Sequence, residues 1–557
     1  MDLSLRIAGE AGQGLVSVGN MLAAAFVKSG LHVFTGESYM SRIRGGLNWF
    51  DIRFGDEELF GLREKPDLLV ALSETALELL ADDLTEGGIV LYGGKEETSG
   101  AACFDFEAIA KEAGGGRIMV NSVAAGAILA VLGYDTTVLE KHLAEEFRRK
   151  SAEIVEKNVA CVKAGYSAAA GKEISIDAPR PAGKPSGALT GGAWAIGLAA
   201  ATSGVKLATS YPMSPSTATL TWLAKLSDRY GIVVEQAEDE IAAVNMICGA
   251  TYAGVPAMTT TSGGGFALMC EGVSLAGMME LPIFILCAQR PGPATGLPTR
   301  TGQEDLRLTV FAGHGEFAKA VFAPGDQRQC YEITRHALET AHRFQTPVIL
   351  LTDQHLQDAM KNTEPLGEEY RPIDRCLAEN PGADYRRYEV TGGGISPRAI
   401  PGGTALVVCD SDEHDEAGHI TEDLEVRVRQ QDKRMAKHEG LIDAFLEPGL
   451  YGDDGAETLL ICWGSTYGAA REAVDRLAAD GASAAMLHFS QVWPLNIEKI
   501  NRRLEPFKRV IVVEGNYTGQ LAMLLRAEGC AKELHRMNRY DGMPITAEFI
   551  LREISGR

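Results

Sequence analysis

Short apolar runs alternate with amphipathic helical stretches along most of the chain. Residues 3–9 form a run typical of a buried strand, and residues 15–30 carry apolar positions at helical spacing. Further runs of both kinds follow in alternation to about residue 170. Such alternation predicts a parallel sheet with helices on its faces. The first region therefore has the pattern of an α/β domain.

Two later regions repeat this pattern. The run 282–288 looks buried on both faces, as strands of parallel sheets are. A segment rich in Pro, Gly and Ser indicates a linker, and a charged, glycine-rich segment indicates a connector that forms little core. The pattern predicts a multidomain α/β protein with five segments: an α/β domain at 1–175, a linker at 176–192, a second α/β domain at 193–375, a connector at 376–456 and a C-terminal α/β domain at 457–557.

The charge balance narrows the range of partners. The chain has 53 Lys and Arg against 75 Asp and Glu, a net charge of −22. Such a chain repels phosphate backbones and anionic lipid surfaces, so we expect neither nucleic acid nor a membrane as partner. The apolar run 281–288 is far shorter than the roughly 20 residues that span a bilayer. The first residues lack the pattern of a secretory signal, so we expect a cytoplasmic protein.

The cysteines and histidines do not form a pattern typical of metal sites. The ten cysteines are spread along the chain, and no two lie within ten residues of each other. Iron–sulfur and structural zinc sites normally use closely spaced thiolates. His414 and His419, in a charged run at 411–423, are spaced wrongly for one helix face, and a solvated connector explains the run better. We therefore predict no metal site on this chain.

A glycine-rich turn, GEAGQG at 9–14, joins the first predicted strand to the first helix. Glycines at such a turn present backbone amides at a helix N-terminus, which suits a phosphate. A tight turn without a ligand explains the motif equally well. Arg42 and Arg44 follow in SRIRGG, either as an anion contact or as a solvated basic turn. The candidate ligand contacts in the first turn are Gly12, Gln13 and Gly14.

Polar side chains also follow strands of the second α/β domain, where ligands of parallel sheets bind. In YPMSPST, at 211–217, helix capping accounts for Ser216 or Thr217 but not for Ser214 between Met213 and Pro215. Arg290 ends another strand, and its guanidinium has the geometry to bind a carboxylate. Thr299 lies in the loop that follows Arg290. Several strand-end loops of this chemistry predict a site.

Glu240 begins a helical run that is apolar and rich in small residues. A carboxylate entering so apolar a helix is costly to bury without a partner. Either Glu240 belongs to a site or it lies on the surface with Glu235, Glu238 and Asp239.

Taken together, the motifs resemble the alpha subunit of the 2-oxoacid:ferredoxin oxidoreductases, of the type with a gamma domain fused ahead of the alpha part, and most of all the 2-oxoglutarate branch. The resemblance covers nearly the whole chain. The motifs, in order, are GEAGQG, SRIRGG, YPMSPST, EQAEDEIAAVNMICGATYAG, TSGGGFALMCEGVSLAGM, QRPGPATGLPTRTGQEDL, SDEHDEAGHITED and VVEGNYTGQLAMLLRAEG.

The resemblance implies a reaction and a division of labour. A 2-oxoacid, CoA and oxidised ferredoxin give acyl-CoA, CO₂ and reduced ferredoxin. Thiamine diphosphate supplies the carbanion chemistry, and the alpha part holds its pyrimidine end. A beta subunit holds the diphosphate, Mg²⁺ and at least one [4Fe–4S] cluster, in an (alpha-beta)₂ assembly. The sequence has no GDG loop followed by an Asn for the diphosphate, which fits that division.

The resemblance also implies roles for single residues. Glu240 matches the glutamate that bonds the aminopyrimidine, with Tyr211 and Pro212 beside the cofactor. Arg290 matches the arginine that holds the substrate carboxylate, and Ser214 stands where relatives often carry Thr. Further substrate contacts are Thr299 and Arg300, and Arg300 could equally form a surface salt bridge. The fused domain engages CoA, with Gly12, Gln13 and Gly14 as contacts. Pyruvate, a branched-chain 2-oxoacid, or a non-catalytic nucleotide-binding role are the alternatives.

Overall fold

The computed structural model describes residues 1–40, 46–96, 98–148 and 151–556. Arg42 and Arg44 lie outside the described residues. The chain divides into two compact units. The first comprises Met1–Thr190 with Ala359–Pro365, and the second comprises Gly191–Asp358 with Leu366–Arg557.

The first 191 residues contain most elements of the first unit. They are β1 Asp2–Glu10, α1 Leu15–Ser29, β2 His32–Ser38, β3 Leu47–Gly55, β4 Leu68–Ala71, α2 Glu74–Leu80, β5 Ile89–Tyr92, β6 Ala102–Cys103, α3 Phe106–Glu112, a 3₁₀ turn Arg117–Met119, α4 Val120–Val131, α5 Thr137–Glu146, α6 Ala152–Ala170 and β7 Ala188–Gly191.

The rest of the chain continues with thirteen strands and thirteen helices among the described residues. They are α7 Gly192–Thr202, β8 Leu207–Ser210, α8 Thr217–Tyr230, β9 Val233–Gln236, α9 Glu240–Tyr252, β10 Ala257–Thr261, α10 Gly263–Leu268, α11 Cys270–Met278, β11 Phe284–Gln289, α12 Leu306–Val310, β12 Ala320–Phe322, α13 Gln327–Phe344, β13 Val348–Asp353, α14 Gln354–Asp358, β14 Met360–Thr363, α15 Leu424–Asp443, β15 Gly449–Gly452, β16 Thr458–Trp463, α16 Thr466–Ala479, β17 Ala484–Phe489, β18 Gln491–Trp493, α17 Ile497–Leu504, β19 Arg509–Glu514, α18 Gln520–Ala527, β20 Leu534–Asn538 and α19 Ala547–Ser555.

The first unit is built on a mixed eight-stranded sheet in the order β6-β5-β4-β1-β3-β2-β14-β7. β1 pairs in parallel with β4 but antiparallel with β3, and β3 is antiparallel to β2. The expectation of a parallel sheet is therefore wrong for β2 and β3. Only eight residues separate these two strands, which is too short for the crossover that parallel pairing needs.

Two features of the first unit lie outside the predicted pattern. The helical run after residue 135 forms two helices, α5 and α6, and α6 packs against α4. The end of the predicted linker forms β7, which lies beside β14 at the sheet edge. There the Thr190 and Thr363 hydroxyls lie 2.6 Å apart. The chain thus returns to the first unit for seven residues, 359–365, before it continues in the second.

The second unit contains two sheets. The seven-stranded sheet has the order β18-β12-β13-β11-β10-β8-β9, and all its strands are parallel except β18. The five-stranded sheet has the order β15-β17-β16-β19-β20, parallel except for β15. One apolar core contains residues of both sheets. The predicted class, a multidomain α/β protein, is confirmed.

The predicted connector carries α15, a 20-residue helix. Its buried face contains Lys433 and Lys437, and both contact the carboxylate of Glu280, which is also buried. Lys433 Nζ lies 2.7 and 2.8 Å from the two oxygens of Glu280. Burial alone would raise the pKa of Glu280, but the charges of Lys437 and Lys433 lower it far below its usual value. The buried ion pairs of Lys433 and Lys437 thus hold α15 in place, in a segment predicted to form little core.

Among the described residues, no single helix combines the length and apolar character needed to cross a membrane. The bent pair Phe106–Glu112 and Arg117–Val131 reaches that length and composition only when its two helices are taken together.

Candidate active site

Four neighbouring strands of the seven-stranded sheet end at one edge, because β9, β8, β10 and β11 run parallel. The loops that follow them carry most of the predicted site residues of the second unit. Arg290, directly after β11, donates from Nη1 to the backbone carbonyl of Ser214, 2.7 Å away. The structure therefore brings Ser214 and Arg290 into contact, although 76 residues separate them in the sequence.

Glu240 is the first residue of α9 and is only 3% exposed. Asp239 caps this helix, since its side chain accepts from the amide of Ala242 at 2.7 Å. Glu240 Oε1 is buried and has no hydrogen-bond partner within the described chain. A surface position beside exposed Glu235 and Glu238 is thus wrong for Glu240. A buried acceptor of this kind is normally satisfied by a partner.

The first turn of α10 makes room for that carboxylate. A Cβ on Gly265 would lie 2.5 Å from Glu240 Oε1 and 2.2 Å from Thr261 Oγ1. No side chain fits there without displacing one of them. The TSGGG motif therefore requires glycine at position 265 because the Glu240 carboxylate lies against its backbone.

Asp305 is a second buried carboxyl at this edge, and the sequence analysis did not select it. A Cβ on Gly263 would lie 2.2 Å from Asp305 Oδ2, an atom without a hydrogen-bond partner in the described chain. Burial raises the pKa of Asp305 to about 7, and the charge of Glu304 acts in the same direction, whereas Arg290 lowers it. Asp305 thus titrates near neutral pH, next to the predicted substrate arginine.

Arg290 and Asp305 stand at the two ends of one loop whose base is held by Gln289. The Gln289 side chain accepts from the amide of Asp305 at 2.9 Å and donates to the carbonyl of Thr352 at 3.1 Å. Burial lowers the pKa of Arg290, and the charge of Asp305 opposes that change. The Gln289 side chain therefore holds the base of the loop at the end of β11, while the guanidinium of Arg290 is held by its bond to the carbonyl of Ser214.

Thr299 and Arg300 lie further along this loop, and both are partly exposed. Arg300 Nη1 lies 3.9 Å from the sulfur of Met543, in the loop after β20. Burial lowers the pKa of Arg300, and Asp541 raises it. Arg300 is thus packed beside the C-terminal sheet instead of projecting fully into solvent.

Gln303 anchors the same loop to the five-stranded sheet, a role that the sequence analysis missed. Its backbone amide donates to the carbonyl of Gly515 at 2.7 Å, and its side-chain oxygen accepts from the amide of Gly515 at 2.8 Å. Its side-chain nitrogen donates to the carbonyl of Trp463 at 2.8 Å. Asn516 Nδ2 also donates to the carbonyl of Gln303 at 2.9 Å, so Gly515 and Asn516 of VVEGNYTGQ fix the loop that carries the predicted substrate residues.

The remaining residues of YPMSPST have distinct surroundings. Tyr211 is 41% exposed, and Pro212 is partly buried. Ser216 precedes α8, but its hydroxyl donates to the carbonyl of Met213 at 2.8 Å and does not cap the helix. The capping explanation of Ser216 is therefore wrong, because the hydroxyl closes its own turn.

The glycine-rich turn of the first unit joins β1 to α1 as predicted. Gln13 accepts from the amide of Glu10 at 2.6 Å and donates to the carbonyl of Leu72 at 3.1 Å, so its side chain is used within the fold. Gly14 has φ +76°, and a Cβ there would lie 2.1 Å from Asn121 Nδ2. Gly12 has φ +91°, and a Cβ there would meet no heavy atom within 4 Å, so in this turn its backbone is the most accessible.

Most residues of the charged run at 411–423 are exposed or half-buried, as expected of a hydrogen-bonded connector, but Glu413 and His414 pack against the fold. The Glu413 carboxylate accepts from Arg434 at 2.7 and 3.0 Å and from Arg427 at 2.6 Å. The His414 ring is buried, with its centroid 3.9 Å from that of Tyr388. Within the described ranges, no group of three or more His, Cys, Asp or Glu residues is placed to hold a metal ion.

The seven-stranded sheet and Glu240 lie largely within a part of the chain that matches a thiamine diphosphate-binding family model. Residues 198–433 match "Pyruvate flavodoxin/ferredoxin oxidoreductase, thiamine diP-bdg". Residues 4–168 match "Pyruvate ferredoxin/flavodoxin oxidoreductase", and residues 456–550 match "Pyruvate:ferredoxin oxidoreductase core domain II".

Curated relatives match almost end to end. The chain is 31% identical to 2-oxoacid:ferredoxin oxidoreductase 2, subunit alpha, of Aeropyrum pernix, over 98% of this chain and 96% of that protein. It is 30% identical to 2-oxoglutarate oxidoreductase subunit KorA of Mycobacterium tuberculosis, over 100% and 92%. The chain belongs to the alpha subunits of the 2-oxoacid:ferredoxin oxidoreductases.

A solved structure matches at the same extent. It is the 2-oxoglutarate:ferredoxin oxidoreductase of Magnetococcus marinus with 2-oxoglutarate, coenzyme A and succinyl-CoA bound. The TM-score is 0.92 at 32% identity, over 100% of this chain and 99% of that chain. The predicted family, its enzymatic class and its thiamine diphosphate-binding domain are therefore confirmed.

The residues at the strand ends fit thiamine diphosphate. Glu240 Oε1 is a buried acceptor without a partner in the described chain, and it lies in a cradle that Gly265 keeps free of side chain. A ligand N–H group would satisfy this acceptor. This buried acceptor therefore suits the pyrimidine end of the cofactor.

Proposed function

We propose that this chain, together with a beta subunit, catalyses the CoA-dependent oxidative decarboxylation of 2-oxoglutarate. The products are succinyl-CoA, CO₂ and reduced ferredoxin, and the reaction also runs as the reverse carboxylation. The observation that carries the proposal is the buried Oε1 of Glu240, which has no hydrogen-bond partner in the described chain and lies at the same sheet edge as Arg290. The similarity to the Magnetococcus marinus enzyme supports the choice of 2-oxoacid.

Each strand-end residue has a distinct proposed role. When bound, thiamine diphosphate supplies the carbanion chemistry. Glu240 accepts a hydrogen bond from its aminopyrimidine, and Tyr211 and Pro212 lie beside it. Arg290 binds the carboxylate next to the 2-oxo carbon, because a guanidinium offers two parallel donors to a carboxylate. Ser214 orients Arg290 through its carbonyl, 2.7 Å away.

The choice between 2-oxoacids depends on the loop that follows Arg290. We propose that Thr299 contacts the substrate and that Arg300 binds the distal carboxylate of 2-oxoglutarate. Arg300 is close to Met543, and the charge of Asp541 raises its pKa, so the loop after β20 contacts this arginine. Pyruvate and branched-chain 2-oxoacids lack that second carboxylate and are the alternative substrates.

A beta subunit completes the site in this proposal. Apolar side chains near Glu240 are exposed: Ile241 at 50%, Met246 at 41% and Leu268 at 53%. Ile241 and Met246 share α9 with Glu240, and Leu268 ends the helix that contains Gly265. Exposed apolar groups around a functional site mark an interaction surface. We infer that the beta subunit covers this face and brings the diphosphate site, Mg²⁺ and a [4Fe–4S] cluster, in an (alpha-beta)₂ assembly.

The fused N-terminal domain has a proposed role in engaging CoA. Gly12, Gln13 and Gly14 are the proposed contacts, through their backbone. Gly12 is the strongest of the three because it faces open space, whereas the Gln13 side chain already bonds Glu10 and Leu72. Ferredoxin is the proposed electron acceptor of the assembled complex.

A panel of 2-oxoacids with the purified complex, CoA and a viologen dye tests the substrate. We expect the highest kcat/KM with 2-oxoglutarate. Arg290→Ala should lower kcat/KM by about two orders of magnitude for every 2-oxoacid, given about 1.5–3 kcal/mol for a charge-assisted hydrogen bond, and Arg290→Lys should also impair it because bidentate geometry is lost. Arg300→Ala should impair 2-oxoglutarate more than pyruvate.

Arg229→Ala is the matched control, since this exposed arginine pairs with Glu368 at the far end of α8. It should leave all kinetic constants unchanged. A higher kcat/KM for pyruvate than for 2-oxoglutarate would refute the substrate choice. An effect of Arg290→Ala on CoA kinetics alone would refute its role on the carboxylate.

A further inference from the structure

Two buried carboxyl groups, those of Glu240 and Asp305, pack against the first turn of α10. The proposed function gives a role to Glu240 and none to Asp305. Glu240 lies against Gly265, and Asp305 lies against Gly263, where a Cβ would come within 2.2–2.4 Å of all three carboxyl atoms. Each carboxyl has a buried oxygen without a hydrogen-bond partner in the described chain, and the same is true of the hydroxyl of Ser262, the residue just before Gly263. Such a concentration of unsatisfied buried groups is unusual in a native fold.

The side chain of Gln289 holds Asp305 near the end of β11, where Arg290 follows. Gln289 accepts from the amide of Asp305 at 2.9 Å, and Arg290 is the next residue in the chain. The charge of Arg290 lowers the pKa of Asp305, and the charge of Asp305 raises the pKa of Arg290. Yet Arg290 Nη1 donates to Ser214, and Asp305 Oδ2 accepts from no described group. This arrangement suits a neutral Asp305.

The charged groups around Asp305 come from three elements. Arg290 follows β11, Glu304 lies beside Asp305 in its own loop, and the Cys287 thiol on β11 is buried and keeps its proton. Glu240 approaches from α9 on the other side of the α10 turn. The charges of Glu304 and Arg290 thus act on Asp305, and the proton of Asp305 decides whether Arg290 faces a neutral or a charged neighbour.

We propose that Asp305 is a positioning residue for Arg290. While Asp305 holds its proton, the guanidinium stays on Ser214 and is available to the substrate carboxylate. Loss of that proton to solvent lets Asp305 draw Arg290 into an ion pair, and binding of the 2-oxoacid weakens. This inference rests on the proposed function, in which Arg290 binds the carboxylate next to the 2-oxo carbon.

Equilibrium binding to the assembled holoenzyme tests the inference without turnover. N-oxalylglycine, a 2-oxoglutarate analogue whose amide resists decarboxylation, is titrated calorimetrically between pH 6 and pH 8. For wild type we expect Kd to rise about tenfold over this range, as for one acid with a pKa of about 7. At pH 8, titrations in two buffers of different ionisation enthalpy should show uptake of about one proton per ligand.

Asp305→Asn keeps the shape of the side chain and cannot ionise, so its Kd should not change with pH and should equal the wild-type value at pH 6. Asp228→Asn removes an exposed carboxylate near the far end of α8 and should follow wild type. A D305N profile parallel to wild type would overturn the inference. If D305N does not assemble, the wild-type data decide, because a Kd independent of pH or the absence of proton uptake would overturn it equally.

The two proposals fail in different ways. If Arg290→Ala leaves the affinity for N-oxalylglycine unchanged, Arg290 does not hold the carboxylate and the proposed function fails at that residue. If Arg290→Ala weakens binding but Asp305→Asn keeps the wild-type pH dependence, only the role of Asp305 fails.

Discussion

At the scale of single residues, Glu240 is the side chain with the clearest chemical purpose. Glu240→Gln keeps its size but removes the charge that a cofactor N–H group would meet. We expect turnover of the complex to fall by about 10²–10⁴-fold, the usual worth of a positioned proton-transfer group, with an unchanged circular dichroism spectrum. Glu238→Gln, an exposed neighbour two residues earlier, should retain wild-type turnover. Near-normal activity of E240Q would remove Glu240 from the site.

The glycine that faces Glu240 gives a second, independent prediction. Gly265→Ala would place a methyl group 2.5 Å from Glu240 Oε1 and 2.2 Å from Thr261 Oγ1, whereas Gly264→Ala meets only the carbonyl of Ala294 at 3.8 Å. We expect G265A to lower both thiamine diphosphate affinity and turnover by at least about tenfold, because the carboxylate must move. G264A should resemble wild type. Equal effects of the two variants would mean that the cradle around Glu240 has no functional role.

The sequence identifies only some of the residues that form the candidate site. Motif position singles out Glu240 and Arg290 from the sequence, but the burial of Glu240 does not follow from it, because neighbouring Glu235 and Glu238 are exposed on the same segment. Asp305 and Gln303 stand in the motif QRPGPATGLPTRTGQEDL, where nothing in the sequence sets them apart from their neighbours. Their partners, Gly263 and Gly515, are 42 and 212 residues away, and only the packed sheets bring them together.

At the scale of elements, the periodic apolar runs predict most of the strands and helices. They do not predict the direction of strand pairing or a helix whose buried face is charged. β2 and β3 look like members of a parallel sheet but pair antiparallel because their connection is short. The sequence predicts a connector where α15 lies, because the buried side of this helix carries the charged residues Lys433 and Lys437. Apolar periodicity cannot detect a helix that is held by buried ion pairs.

The cluster around Glu280 gives a prediction at this scale. Glu280→Gln would leave Lys433 and Lys437 buried without a counter-charge, since both contact the Glu280 carboxylate. Breaking a buried ion pair on one side costs about 3–5 kcal/mol. We expect a loss of that size in urea unfolding of the purified chain. Glu439→Gln, exposed on the same helix, should change the unfolding free energy by less than about 0.5 kcal/mol. Equal stability of the two variants would show that α15 is held by other contacts.

At the scale of the whole molecule, the order of motifs is more informative than any single motif. GEAGQG alone is compatible with an empty turn, and the Gln13 side chain is indeed bonded within the fold. The full series of motifs predicts the family, which matching over 98% of the chain confirms. The return of residues 359–365 to the first unit has no signal in the sequence, because the segment resembles any short polar strand.

The chain should not catalyse the reaction without a partner, and its cysteines and its exposed apolar side chains give the reasons. Electron transfer to ferredoxin needs clusters, and clusters need closely placed thiolates, whereas the ten cysteines are spread in sequence and most are buried. Exposed Ile241, Met246 and Leu268 near Glu240 leave an apolar face for a partner. Expressed by itself, the chain should be colourless, inactive and a poor binder of thiamine diphosphate in calorimetric titration.

Co-expression with a beta subunit should give a brown complex that reduces a viologen dye with 2-oxoglutarate and CoA. Ile241→Asp and Met246→Asp should block assembly, because a charge buried in an apolar interface is costly, and should leave the fold of the isolated chain unchanged. Val428→Asp, at an exposed position on α15, is the control and should assemble normally. Stoichiometric iron and sulfide in the isolated chain, or dye reduction without a partner, would contradict this division between subunits. Normal assembly of the α9 variants would instead place the partner on another face, because the charge would then lie in solvent.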